Sequence, residues 1–355
     1  MSHGLAGSHI LLVGLGATLV VFAISYALSA PYSPEFYQSW IAFMGISSVP
    51  ALLVAGMLWH YKYPASLAQL NQPLRGCAYL ALTVMAMIGG GAFLYFGPGS
   101  GGGATPMLIN AAIMSIVVAF WLIGVWKCWP LSHWVRSPVM LGFLVWAASY
   151  LIAYAAYEAL FNFAAAHHAP FYRPALDPGG LFDSWQILVF AVTTSAVIVA
   201  LEKLFEFWPT TGMHSTQSPF LHGLSNSVLV FIVSSLWMGF FVGFLRLEIV
   251  DFMLRGPIAL LFGIFFVTNL SQSRILPDTP QPRKGATLLV LAIFIGVAME
   301  ELYRVVAPLV VGQALSSGPP EHDLELWVAT ALLAVTFPVI IVVTGYFDFW
   351  PLKRP

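Results

Sequence analysis

Long apolar runs alternate with short polar breaks along the whole chain, and the breaks recur with a rhythm. Five runs end in an aromatic cluster followed by a proline: Tyr61-Lys62-Tyr63-Pro64, Trp126-Lys127-Cys128-Trp129-Pro130, Phe205-Glu206-Phe207-Trp208-Pro209, Arg274-Ile275-Leu276-Pro277 and Phe347-Asp348-Phe349-Trp350-Pro351. These prolines stand 66 to 79 residues apart, the length of two membrane spans with their loops. A helix needs about 20 mostly apolar residues to cross the hydrocarbon. Ten segments qualify: 9–30, 40–60, 77–97, 106–127, 139–163, 184–205, 221–246, 249–271, 286–311 and 325–347. The eighth has the shortest clean apolar stretch, Gly256 to Leu270, and places Asp251 and Arg255 near its end.

The punctuation continues past each stop. A second proline and then a glycine follow: Pro73 to Gly76, Pro138 to Gly142, Pro219 to Gly223, Pro282 to Gly285. Proline suits the first turn of a helix, so each hairpin opens alike. The expected fold is all-α and polytopic, one membrane domain of five tandem parallel hairpins: 1–64, 65–130, 131–209, 210–277 and 278–351. Parallel repeats occur in some transporters, but duplication is also an economical way to build any bundle.

Composition agrees. Apolar residues make up 59 % of the chain and charged ones 8 %, against about 25 % charged in a soluble domain. A net charge of −1 supplies no basic field for nucleic acid. The expected surroundings are the lipid bilayer and, in one reading, partner membrane subunits. The loops after the even spans and the C-terminus hold Lys62, Arg75, Lys127, Arg136, Lys203, Arg274, Arg283, Lys284, Lys353 and Arg354. The other side holds only Arg173, Arg246, Arg255 and Arg304. The positive-inside rule therefore places both termini in the cytoplasm of an inner or plasma membrane. Met1-Ser2-His3-Gly4 lacks a basic leader pattern, so the first span reads as retained. Cys77 and Cys128 both fall at cytoplasmic span ends, where a disulfide is disfavoured.

An ionisable residue inside a span marks a functional site by default. Glu158 lies in span 5, and Glu300, Glu301 and Arg304 lie in span 9. Glu158 and Glu301 each stand sixteen residues after their unit glycine, Gly142 and Gly285, where units two and four carry Ala92 and Gly239. Two equivalent carboxylates could bind a cation or relay protons. Arg304 could instead neutralise Glu300 and Glu301 at i,i+4 and i,i+3 on one helix surface. Arg246, Glu248, Asp251 and Arg255 in the turn between spans 7 and 8 complete a charged group confined to units three to five.

Polar residues elsewhere suit helix-to-helix hydrogen bonds: Thr193-Thr194-Ser195, Ser234-Ser235, the stretch from His222 to Ser227, Asn110 and Gln186. The glycines at 89–91 permit close packing or an unwound segment. His60 and His222 could face each other as haem ligands, and His167, His168, His322 and Asp323 could gather a metal. No histidine pair falls at i,i+4, and no phosphate loop, dinucleotide fingerprint or cysteine cluster occurs, so the sequence specifies no cofactor.

Three functions fit. One is a permease for a small solute, coupled to a cation or proton through intramembrane carboxylates, which predicts a polar cavity between units three and five. Another is a membrane subunit of a larger, respiratory-type complex, which predicts a tight bundle. The last is a membrane enzyme acting on a lipid or another hydrophobic substrate, which predicts a lateral opening to the bilayer.

Overall fold

The computed structural model describes residues 2–210, 218–270 and 279–353, with side chains from residue 12 onward. The stop at Arg274–Pro277, His214 and the side chains of His3 and His9 lie outside the described residues. Among the described residues, ten helices are long and apolar enough to cross a membrane: α1 Ser2–Ser29, α2 Pro34–Leu58, α3 Leu74–Phe96, α4 Pro106–Val125, α5 Pro138–Leu160, α6 Ser184–Leu204, α7 Pro219–Phe244, α8 Ile249–Leu270, α9 Arg283–Val311 and α10 Asp323–Tyr346. The chain is a polytopic α-helical membrane protein.

Helix starts fall a few residues ahead of the apolar runs because capping residues define them. Ser33-Pro34, Thr105-Pro106, Ser137-Pro138 and Ser218-Pro219 each place a hydroxyl at the N-cap and a proline at the first helical position. The hydroxyl accepts from the amides of Phe36, Leu108, Met140 and Leu221, donors the helix itself leaves orphaned. Thus α2 begins at Pro34, six residues before its apolar run.

The helices form two concentric layers. In α2, α4, α6, α8 and α10, 67–78 % of the span residues are buried; in α1, α3, α5, α7 and α9 the share is 11–28 %. The even helices make a closed ring in the order α2, α4, α6, α8, α10 and back to α2. Each odd helix packs outside, against the even helix that precedes it in the chain and the ring neighbour beyond. The first odd helix, α1, packs on α10 and on the end of α8.

The aromatic stops build this second contact. At the four described stops the even helix widens into a π turn: Val54–Leu58, Trp121–Val125, Ala200–Leu204 and Val342–Tyr346. Two residues with positive φ follow, His60 and Tyr61, Lys127 and Cys128, Glu206 and Phe207, Asp348 and Phe349. The second amide of each pair returns six residues, as in Tyr61 N to Ala55 O at 2.9 Å and Cys128 N to Leu122 O at 2.7 Å. Left-handed residues closing a helix with such back-bonds satisfy its last carbonyls. A cis X-Pro bond ends each turn. The turn throws one aromatic ring outward, and the glycine that opens an outer helix receives it. Trp59 lies on Gly142, Trp126 on Gly223, Phe205 on Gly285 and Phe347 on Gly76, where a Cβ would sit 2.4–2.5 Å from the ring. The stops therefore do more than anchor the chain at an interface: Trp59, Cys128, Phe207 and Phe349 are buried.

Small residues bring other helices into backbone contact. A Cβ on Gly263 of α8 would lie 1.9 Å from the carbonyl oxygen of Ala292, and one on Gly296 of α9 2.0 Å from that of Ala259. Ala259-x-x-x-Gly263 thus faces Ala292-x-x-x-Gly296, a reciprocal small-residue seam. Gly90, in the sequence's triple glycine, lies under the Tyr150 ring, whose hydroxyl donates to the Ser47 carbonyl at 2.5 Å. Helix α3 runs unbroken through this segment, so the glycines serve packing and not unwinding.

The ends of the bundle differ. One carries the cis-proline turns and is called the proline end. The opposite loop end holds the long connection 161–183, whose Phe161–Asn162 pairs in parallel with Phe182–Asp183. Asp177 accepts from the Phe163 amide at 3.2 Å, and the Arg173 guanidinium donates to Gly102 O at 2.7 Å.

Candidate functional site: the ring axis and an arginine hub

Each even helix turns one face to the ring axis, at helical spacing. Gln38, Ala42 and Ile46 come from α2; Asn110 and Ile113 from α4; Ser184, Leu188 and Val192 from α6; Met253 and Ile258 from α8; Thr330 and Leu333 from α10. Together they line a cavity of about 60 Å³ toward the loop end. A second cavity, about 40 Å³, follows along the same faces, with Val49, Val117, Ser195 and Phe262 among its walls. Ile46, Ile113, Val192 and Leu333 belong to both cavities, so this apolar belt divides them. Phe120, Phe265 and Phe337 close the second toward the proline end, with the Phe265 and Phe337 rings 4.6 Å apart. At the loop end Phe163 and Phe171 of the 161–183 connection reach over the upper cavity. A water needs roughly 10–15 Å³ of such space, so each chamber holds a few water-sized molecules.

The polar lining is concentrated in the upper chamber, where Gln38, Asn110, Ser184 and Thr330 supply amides and hydroxyls; the lower one has a single polar wall residue, Ser195. The sequence placed a polar cavity between units three and five. The structure draws this rim from α2, α4, α6 and α10, because each even helix turns a face to the ring axis.

The charged residues gather elsewhere, between α8, α9 and α10 at the loop end. Arg304 is a hub. Its Nε donates to Glu300 Oε1, its Nη2 to Asp251 Oδ1 at 2.8 Å and its Nη1 to Glu325 Oε1 at 3.3 Å. Glu325 also accepts from Ser317 Oγ at 2.5 Å and from the Gly318 amide at 3.2 Å. Glu300 is fully buried and Glu325 nearly so, at 0 % and 2 % exposure, and Glu300 Oε2 has no hydrogen-bond partner among the described residues. Arg255 stands beside the hub, 3.5 Å from Glu301 and 4.0 Å from Asp251. Four carboxylates thus share two guanidinium groups.

The structure joins Glu300, Glu301, Arg304 and Asp251 in one cluster, through Arg255. The other two sequence candidates stay apart: Glu158 on α5 and Arg246 before α8 are exposed, and neither forms an ion pair among the described residues. None of the six lines either axial cavity. Glu325 was missed, although it stands first in the predicted span 325–347; counting it as a span residue would have revealed it. His322, buried against the Trp185 ring at 5.8 Å between centroids, was weighed only as a metal ligand. Among the described residues no three histidine, cysteine or acidic side chains converge on a metal-sized point, so His167, His168, His322 and Asp323 do not form the conjectured site. The His167 and His168 rings lie 3.7 Å apart, tilted by 44°, His60 is exposed, and His222 Nδ1 pairs with Asn226 at 2.7 Å. At the proline end, the Lys284 ammonium 2.9 Å from Glu206 holds that carboxyl below its usual range, and burial pushes the Cys128 thiol up to about 11.

No known protein family, curated protein or solved structure matches the chain. Its class is therefore set by architecture alone: a polytopic membrane protein built as a closed ring of five helices inside a second layer of five.

Proposed function

We propose that this protein is a permease for a small, uncharged solute, which crosses along the axis of the five-helix ring. The observation that carries the reading is the stacked pair of cavities on that axis, polar above and apolar below, divided by Ile46, Ile113, Val192 and Leu333. An apolar constriction gates by excluding water, and chambers this small admit only small molecules. A charged solute would meet no compensating group below the rim, and stripping its water there is costly. In this reading the protein is five tandem hairpins, each giving one wall to the path, with the proline end in the cytoplasm as the Lys and Arg distribution suggests. The acidic groups act off the path, as locks on the helices, and solute movement needs no coupling ion.

The test is flux into proteoliposomes, read by stopped-flow light scattering for water and urea and by an internal pH dye for ammonia. Ile113→Ser is expected to raise the rate of at least one solute about tenfold, the effect of lowering a barrier by roughly 1.4 kcal/mol. Val192→Phe is expected to abolish it. Folded variants that leave all three rates at the wild-type value would refute an axial path.

A further inference from the structure

Neighbouring outer helices do not meet everywhere, and a gap lies between α7 and α9. There a cavity of about 500 Å³ opens on the outer face of the bundle. Its walls are Val233, Trp237 and Phe241 of α7 and Leu289, Ile293 and Val297 of α9, and Ala259 and Leu260 of α8 lie on its floor. Asp251 and Arg255 stand at its loop end, and Glu301 lies one turn beyond Val297, against Arg255. From Leu289 to Glu301 the groove runs twelve residues, about 18 Å at the rise of a helix. That is close to the hydrocarbon depth of one leaflet, about 15 Å.

We infer that this groove is a binding site for one phospholipid whose headgroup carries both a phosphate and a primary ammonium. The apolar trough takes an acyl chain, and the rim takes the headgroup. Arg255 is half exposed and donates no hydrogen bond among the described residues; Glu301 and Asp251 touch it only as ions, at 3.5 and 4.0 Å. These two long ion pairs leave its planar fork of donors able to donate hydrogen bonds to a phosphate. The two carboxylates on either side, 52 % and 42 % exposed, fit an ammonium that can donate hydrogen bonds. An anionic headgroup without an amine would meet the arginine but also both acids. The site is independent of the axial path.

The full chain, reconstituted in nanodiscs of equal parts phosphatidylethanolamine, phosphatidylglycerol and phosphatidylcholine, can be released into mild detergent and weighed by native mass spectrometry. One phosphatidylethanolamine is expected to stay bound, preferred about tenfold over the other two, the worth of one charge-assisted contact. Glu301→Gln should erase most of that preference, whereas Arg255→Gln should lower retention of all three lipids alike and Arg255→Lys restore part of it. Ile293→Trp, at an exposed wall position, should lower total retention while the Glu301–Arg255 rim stays intact. Equal retention of the three lipids, a preference for phosphatidylglycerol, or a polypeptide bound in the groove's place would each overturn the assignment. So would unchanged lipid retention in Ile293→Trp with an unaltered melting temperature.

Discussion

Replacing Arg304 by leucine is expected to be among the most damaging single changes in the molecule. The side chain is 11 % exposed and holds three carboxylates on three elements. Those carboxylates are not equal. Glu300 and Glu325 are buried, so removing their counter-ion strands two charges in a medium that solvates them poorly. Breaking a buried pair from one side costs about 3–5 kcal/mol. Asp251 is 42 % exposed; water screens its share, which is worth no more than about 1 kcal/mol. The expected loss for Arg304→Leu is therefore about 3–5 kcal/mol, and Asp251→Asn should cost at most about 1 kcal/mol. Glu300→Gln should cost less than Arg304→Leu, because four acids already compete for two arginines and an amide still accepts from Arg304. The double variant Arg304→Leu with Glu300→Gln should recover part of the loss, a coupling visible in a double-mutant cycle. Equilibrium unfolding in mixed micelles, followed by tryptophan fluorescence, measures all four. An Arg304→Leu protein within 1 kcal/mol of wild type, or a cycle with no coupling, would refute the argument that the hub neutralises buried charge.

Three further outcomes follow from the packing. Gly263→Val or Gly296→Val forces a side chain into a backbone carbonyl and should cost at least about 1–3 kcal/mol by overpacking, read in the same unfolding assay; a neutral result would mean the α8–α9 seam is not tight. Trp59→Leu removes the ring seated on Gly142 and the indole hydrogen bond to Pro138 O at 2.8 Å, and should destabilise by about 3 kcal/mol or more. Lys284→Met should lower stability by no more than about 1 kcal/mol near neutral pH, since Glu206 is 59 % exposed. Because Lys284 depresses the Glu206 carboxyl, that contribution is present above the unfolded carboxylate range. It should vanish as the pH falls through the lowered folded value, so wild-type and variant melting curves should converge in acid.

The ten spans were legible because a membrane helix must be apolar over its whole length. Their sorting into ring and outer layer was not. Inner and outer spans have overlapping mean hydropathies, 1.9–2.5 and 1.8–2.1, since lipid is as apolar as a protein core and gives no amphipathic stripe. The better signal was polar: Asn110, Ser195 and Thr330 sit in even spans and all reach the axial cavities. The unit glycines were legible as punctuation, but their partners were not, because Gly142 and Trp59 lie 83 residues apart in the sequence and meet only once the ring closes. Likewise Glu300 with Arg304 was readable as an i,i+4 pair, whereas Asp251 and Glu325 join it through tertiary contact. The equivalence of Glu158 and Glu301 in spacing did not extend to surroundings: α5 has no counterpart of Arg255 beside Glu158.

A closed ring has no first or last member. Helix α1 rests on α10 and on the end of α8, and a Cβ on Gly16 would lie 3.3 Å from Leu352, so the middle of α1 and the residues just after α10 lie side by side at the proline end. During synthesis, however, the wall stays an open arc until α10 emerges. Until then Glu300 has only its own helix neighbour Arg304 and the α8 carboxylate for company, and the seam between α2 and α8 is unsealed. The tenth helix is the keystone. A chain with its ends joined and reopened in the glycine-rich connection at 97–105 would hand that role to α2, and should still close the same ring.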